Sequence, residues 1–287
     1  MAESQIGNTP EVQYKWRHGR RYHAYREGQY NFPNDDEEQD CLDMCHHVFY
    51  RLTNDRLFMA PIDPSGKRIL DIGTGTGIWP IQLGDDPIQP EWAPPNVKFL
   101  VDDVELDWAE PEPYDHIHCK YMAGSIKDWP RLVQQIYDNL KPGGWVEFQE
   151  AENTLLSEDG SLKPYNAMVV MMEGLKDACN KIGRTMDPAP SFRGWVEGAS
   201  FENVNSQIFK LPVGSWAKDP MLKECGTLMR INFLDGVEGF TAALFRDVLL
   251  WSQEEVSVLN AQVWTAVRDR DIHPLFNVHV VTGQKPS

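Results

Sequence analysis

Arg68-Ile-Leu-Asp-Ile-Gly-Thr-Gly-Thr-Gly-Ile-Trp79 decides the fold of this 287-residue chain. Ile69, Leu70 and Ile72 predict a strand that carries Asp71 and then runs into Gly73, Gly75 and Gly77. Glycines at alternate positions straight after a strand leave bare backbone where a ligand can approach, because no Cβ stands in the way. The residues that follow can open a helix whose first N–H groups face the same place. The dinucleotide pattern G-x-G-x-x-G would need glycine at position 78, which is Ile78. D-x-G-x-G-x-G instead suits a nucleoside ligand without a pyrophosphate. A ligand-free turn of an α/β fold is the competing reading, but three glycines at one turn lower stability unless something needs the access.

Outward from the turn, residues 97–101 read as a second strand leading to Asp102-Asp103, 116–119 as a third and 145–149 as a fourth. Leu132, Ile136 and Leu140 mark a helix that stops at Lys141-Pro-Gly-Gly144. Such alternation predicts a mostly parallel, doubly wound sheet, with 69–72 inside it rather than at its edge. Upstream, Pro33-Asn-Asp-Asp-Glu-Glu38 is a helix start with acids in its first turn. Leu42, Cys45, Phe49 and Leu52 follow at helical spacing. Past Glu150, Met168, Met171, Leu175, Cys179 and Ile182 form a helical stripe expected to pack in the core. Residues 204–211 and 278–282 return to strand, 218–248 is helical, and Ser252-x-x-Glu255 is a capping box. The expected organisation is a lid segment and helix over 1–59, then one domain over 60–287 with helical cap insertions near 155–195 and 218–270.

Composition is that of a globular protein, 41% hydrophobic and 24% charged. A net charge of −16 argues against broad binding to nucleic acid or anionic membranes. No apolar run approaches the ~20 residues of a membrane span. The polar start Met1-Ala-Glu-Ser-Gln lacks a secretory pattern, and five scattered cysteines suit reduced thiols. A cytoplasmic protein is expected, with the nucleus left open. Cys41-x-x-x-Cys45-His46-His47 superficially resembles a metal cluster. On a helix Cys41 and Cys45 share a face while the histidines point elsewhere, and no second ligand pair is evident, so no metal is expected.

Together these segments resemble the LaeA-like fungal methyltransferases, which use S-adenosylmethionine (SAM) and are tied to secondary-metabolite clusters. The resemblance spans nearly the whole chain. Its carriers are Gly19-Arg-Arg-Tyr-His23, Tyr30 with Pro33-Asn-Asp35, the glycine turn, and Pro87-Ile-Gln-Pro-Glu-Trp92. Pro95-Asn-Val-Lys-Phe99 with Asp102-Asp103, Gly124-Ser-Ile-Lys-Asp-Trp129 and Leu140-Lys-Pro-Gly-Gly-Trp145 complete them. It implies a Rossmann-like class I SAM-methyltransferase fold with an N-terminal helical extension. Gly73, Gly75 and Gly77 would line the methionine end of SAM, with Asp71 holding its ammonium group or shaping the turn. Asp102 or Asp103 would accept from the adenine amino group. Lys120, Tyr121 and Met122 would border the sulfonium, and Tyr22 and Tyr30 would lie over the site as a lid.

One departure stands out. Only 17 residues (80–96) separate Trp79 from the strand expected at 97. A helix of about 10 residues, a strand of about 5 and their connections do not fit there. About a dozen residues, covering the strand whose acidic end binds the ribose, are missing relative to the family pattern, with Gly84-Asp-Asp-Pro87 as the join. No regular strand is expected between 78 and 97. Asp85 or Asp86 would then approximate the ribose contact, unless a segment has been lost from the sequence or SAM binding from the protein. A second departure is Cys41, where the family usually has arginine, a change expected to loosen the N-terminal helix contact. His23 and Glu150 are the candidate general bases, each of which could equally make a structural hydrogen bond. The expected function is methyl transfer to an O, N or C nucleophile of a small secondary metabolite. The alternative is a pathway chaperone, cyclase-like catalyst or regulatory partner on the same scaffold, which keeps a protein partner open.

Overall fold

A computed structural model describes residues 14–23, 32–84, 94–109 and 111–287. An antiparallel hairpin comes first, from β1 (Tyr14–Arg17) and β2 (Arg20–His23), turned at His18 and Gly19 with positive φ. Helix α1 (Asp36–Leu52) starts where its acids require: the Asp35 side chain accepts from the Glu38 N–H. Then come β3 (Ile69–Ile72), α2 (Ile78–Leu83), β4 (Tyr114–Lys120), α3 (Trp129–Asp138) and β5 (Leu140–Ala151). The chain is already extended at Leu140, so α3 ends before the expected Lys141-Pro-Gly-Gly stop. The second half brings α4 (Ala167–Lys181), α5 (Phe192–Gly198), β6 (Glu202–Pro212), α6 (Pro220–Ala243), α7 (Gln253–Arg268) and β7 (Leu275–Gln284). The capping box at Ser252 and Glu255 forms. No helix of the described residues is long and apolar enough to cross a membrane.

The central sheet runs β3-β4-β5-β7-β6. Its first two pairs are parallel; β7 pairs antiparallel with both β5 and β6. The sheet is therefore mixed, where strand–helix alternation had suggested mostly parallel. Alternation counts strands, but β7 enters between β5 and β6 running the other way. No pattern along the chain encodes that.

Among the described residues β3 is an edge strand, contrary to the interior position expected of it. Residues 97–101 form no strand either: Phe99, Leu100 and Val101 are 49%, 72% and 70% exposed. The Phe99 ring lies against the glycine turn instead, where a Cβ on Gly77 would come within 2.7 Å of it. Of the interval 78–97, where no regular strand is expected, the described residues hold α2 and the start of the 94–101 segment, and residues 85–93 lie outside the described residues.

The period-two alternation of the strands separates two faces. Ile117, Val146, Phe148 and Val281 pack on α3 and α5 around Trp129, whose ring meets Phe148, Phe192 and Trp195. A second core lies among α1, α4, α6 and α7 and holds the predicted Met168, Met171, Leu175 and Cys179 stripe. Helix α1 is firmly docked on α6 despite Cys41, whose carbonyl accepts from Asn232 Nδ2 at 2.8 Å. Replacing Trp129 by alanine should remove about 3–5 kcal/mol of stability. Urea unfolding measures it, and a loss under about 1 kcal/mol would place the sheet's support elsewhere.

Candidate functional site

Three left-handed glycines shape the end of β3: Gly73, Gly75 and Gly77 have φ of 70°, 57° and 84°. Each does a different job. A Cβ on Gly73 would stand 2.0 Å from Met122 Sδ, so glycine there admits the Met122 side chain. Gly75 faces open space, its nearest neighbour a Leu42 methyl 3.7 Å from the Cβ position. Gly77 caps α2 beneath Phe99. The turn opens on a cleft of about 590 Å³ lined also by Thr74 and Thr76, by Asp102, by Lys120 at the end of β4 with Tyr121 and Met122 after it, and by Leu42, Cys45, His46 and Phe49 of α1.

Polar groups along the cleft floor are tied in pairs. Asp71 Oδ1 lies 2.7 Å from His118 Nδ1, and the His118 ring stacks on Trp79 at 4.1 Å. Lys120 Nζ is 2.6 Å from His46 Nδ1, while His46 Nε2 is 2.8 Å from Gln82 Oε1. Burial, then the neighbouring Lys120 charge, lowers the His46 pKa to about 4. A neutral His46 accepts from Lys120 at Nδ1 and donates from Nε2 to the Gln82 oxygen, a tautomer assigned from its partners. Burial lowers the Lys120 pKa to about 8.

Behind Tyr121 lies a smaller chamber of about 70 Å³. Its walls are Phe32, Phe233, Phe276 and three methionines, and its polar members include Glu38, Glu150, Asn153 and Asn232. Cleft and chamber share Leu42, Phe49 and Tyr121. Tyr121 has φ of 58°, a costly conformation for a bulky residue, which the surroundings must impose. Glu150 helps impose it. Its Oε2 accepts from the N–H groups of Met122 (2.7 Å) and Ala123 (2.9 Å), and its Oε1 from Ala151 (3.1 Å). Burial raises its pKa to about 8 despite these donors.

Of the residues expected at the site, Asp71, Gly73, Gly75, Asp102, Lys120, Tyr121 and Met122 line one cleft. Glu150 lines the chamber, and both its oxygens are occupied by backbone donors. Asp103 lies off the cleft, accepting from the Glu105 N–H in a turn. Gly77 serves Phe99, not the cleft. Tyr22 is fully buried and lines neither cavity, so it is no lid over the cleft. The hairpin explains why: Arg17 and His18 pair with Asp247 and Arg20 with Asp35, which turns Tyr22 inward. His23 ends β2 opposite Tyr14, and Tyr30 and Asp86 lie outside the described residues. Sequence reasoning missed Thr74 and Thr76, which sat inside the glycine motif, and His46, which the helix turns toward the cleft and not away. It also missed Glu38, read only as a first-turn acid. Among the described residues no group of three or more His, Cys, Asp or Glu could hold a metal ion.

A family model described as a methyltransferase domain matches residues 44–206. The methyltransferase pytC of Aspergillus terreus is 58% identical over 286 residues, 95% of this chain and 88% of its own length. That aligned stretch exceeds the covered part of this chain by about a dozen positions, so the relative carries residues that this chain lacks. The secondary metabolism regulator LAE1 of Cochliobolus heterostrophus is 32% identical, covering 93% of this chain and 94% of its own. The protein-methionine methyltransferase laeA of Emericella nidulans is 31% identical, covering 100% and 80%.

Glu150→Ala strands the buried N–H groups of Met122 and Ala123. It should cost about 3 kcal/mol, from about 1–3 kcal/mol for each unsatisfied donor. Denaturant unfolding reads the loss; an unchanged midpoint would show that the 121–123 turn is held by other contacts.

Proposed function

We propose, from the premise that this chain belongs to the methyltransferase family, that it moves the methyl group of SAM onto a nucleophilic O, N or C atom of a small molecule. One observation carries the reading. A glycine-bordered cleft ending in Asp71 is separated from an apolar chamber by a shared wall of Tyr121, Leu42 and Phe49. A nucleoside-sized ligand and an apolar acceptor then meet at that wall. The cleft suits SAM because Gly75 leaves room beside the backbone that a Cβ would fill, and because Asp71 offers a carboxylate to an ammonium group. Asp102 supplies an acceptor for the adenine amine. Bound there, SAM supplies a methyl carbon activated by its sulfonium.

The chain's own work is placement and exclusion of water. Tyr121 stands between the cavities with Leu42 and Phe49, and Glu150 fixes the Met122–Ala123 backbone that follows it. Residues 1–59 act as the closing segment, and helices within 155–195 and 218–270 as the cap. Three methionines in the chamber wall, Met172, Met186 and Met229, repack easily around differently shaped substrates. That adaptability and the enclosure favour a small molecule over a protein side chain. The relatives named as secondary metabolism regulators point to the same metabolic setting. The second reading, a scaffold that no longer transfers methyl groups, rests on β3 being the sheet edge where the ribose-binding strand is expected.

Titration calorimetry with SAM decides between the two. Binding that is lost in Gly75→Val, whose branched side chain would fill the cleft from a backbone of φ 57°, supports the transferase. No binding by the unmodified chain, or binding indifferent to that substitution, overturns the assigned site. The same titration across pH tests Lys120. Below its pKa of about 8 it is a cation beside a cationic ligand, so affinity should rise by about tenfold as pH passes that value. Lys120→Met should flatten the profile; a slope that persists would assign it to another group.

A further inference from the structure

We propose that Glu38 accepts the proton released by the substrate, and that the chamber therefore takes an apolar molecule presenting a neutral hydroxyl or amine N–H, not a carboxylate. The inference rests on the reading above that the chamber holds the substrate. Glu38 lies in the first turn of α1, lines the chamber and has a side chain only 6% exposed. Its Oε2 is buried with no hydrogen-bond partner. Such an oxygen is uncommon in a folded interior and calls for a donor. Arg20 forms an ion pair with that oxygen, Nη2 lying 3.9 Å away and beyond hydrogen-bond distance; its Nε and Nη2 donate to Asp35 at 2.6 Å each, and its Nη1 is buried without a hydrogen-bond partner.

The other carboxyl and amide groups of the chamber already make hydrogen bonds. Both Glu150 oxygens accept backbone N–H groups. Asn232 donates to the Cys41 carbonyl, and Asn153 to the Met186 carbonyl. No lysine or arginine lines the chamber, so an anion would meet two carboxyl groups without a counter-charge. A neutral donor meets the free Glu38 oxygen.

The step balances. The substrate oxygen or nitrogen forms its bond to the methyl carbon as the carbon–sulfur bond breaks with its electron pair going to sulfur. The O–H or N–H proton passes to the Glu38 carboxylate. The sulfonium charge and the carboxylate charge disappear together. Facing Glu38 are Arg20 of β2, Asp35, Cys41 and Cys45 around α1, and Tyr121 beyond β4, with Asp235 of α6 acting on Cys41. Burial outweighs Arg20 here, and Asp35 adds to it, raising the Glu38 pKa to about 7, which suits proton exchange near neutrality.

Ligand-observed fluorine NMR on the full, cofactor-free chain tests this with 4-fluorophenol, 4-fluoroaniline and 4-fluorobenzoate. The phenol and the aniline should bind more tightly as pH rises through about 7, because the carboxylate is a stronger acceptor than the neutral acid. The benzoate should be excluded above that pH. Glu38→Gln should weaken the phenol about tenfold and abolish its pH response. Glu38→Asp, which keeps a carboxyl, should retain the response. If Glu38→Gln does not fold by circular dichroism, the wild-type preference and the Glu38→Asp profile decide. Phenol binding in folded Glu38→Gln with wild-type strength and pH response overturns the proposal. So does a wild-type preference for benzoate above pH 7, or the absence of binding by all three probes. SAM is titrated into the same samples: probe results as expected without SAM binding overturn methyl transfer while the chamber's preference for neutral donors stands.

Discussion

The Glu150 carboxylate holding the turn after β4 is the interaction on which the rest of the site depends. Two backbone N–H groups, those of Met122 and Ala123, converge on one oxygen. A third, from Ala151, occupies the other. The turn they anchor holds Tyr121 in a left-handed conformation, with its ring edge-on to Phe49 at 5.8 Å. In that position Tyr121 joins Leu42 and Phe49 in the wall between the cleft and the chamber. A carboxyl group this deep costs solvation, and three backbone donors offset much of that cost.

The same sheet presents chemically opposite faces. Toward α3 and α5 it offers Ile117, Val146 and Phe148, a face that needs only volume. Toward α1 and α2 it offers His116, His118, Glu147 and Gln149, all buried. Such a face is tolerable only when its groups find partners, and most do. Glu147 Oε2 accepts from the N–H groups of Met59 and Ala60 at 2.7 Å each, which ties the connection after α1 to the sheet. Burial raises the Glu147 pKa and lowers that of His116 to about 3. The second nitrogens of His116 and His118 lack hydrogen-bond partners among the described residues. This polar face touches the cleft through His118, whose ring nitrogen pairs with the cleft residue Asp71 and whose ring stacks on Trp79.

The edge position of β3 connects the missing segment to the surface. With no strand beyond it among the described residues, Leu100 and Val101 stay exposed and Phe99 covers the back of the glycine turn. The glycine turn nevertheless keeps its geometry, because Gly73, Gly75 and Gly77 answer to Met122, to the open cleft and to Phe99, not to a neighbouring strand.

By itself the sequence determined the strand–turn–helix at 69–83, the helix starts at Asp35 and Ser252, the buried methionine stripe of α4 and the family of the chain. Each of these is local: an alternation, a cap, a glycine needing positive φ. Only the tertiary structure decided the direction of β7, because strand pairing joins segments more than a hundred residues apart and leaves no periodicity. It alone turned Tyr22 inward, because ion pairs from the hairpin to Asp35 and Asp247 fix that side chain. It also brought Glu38 beside Glu150 in one chamber. Residues on a helix end and a strand end become neighbours only when the helix docks, and a carboxyl's pKa and free oxygen follow from that burial.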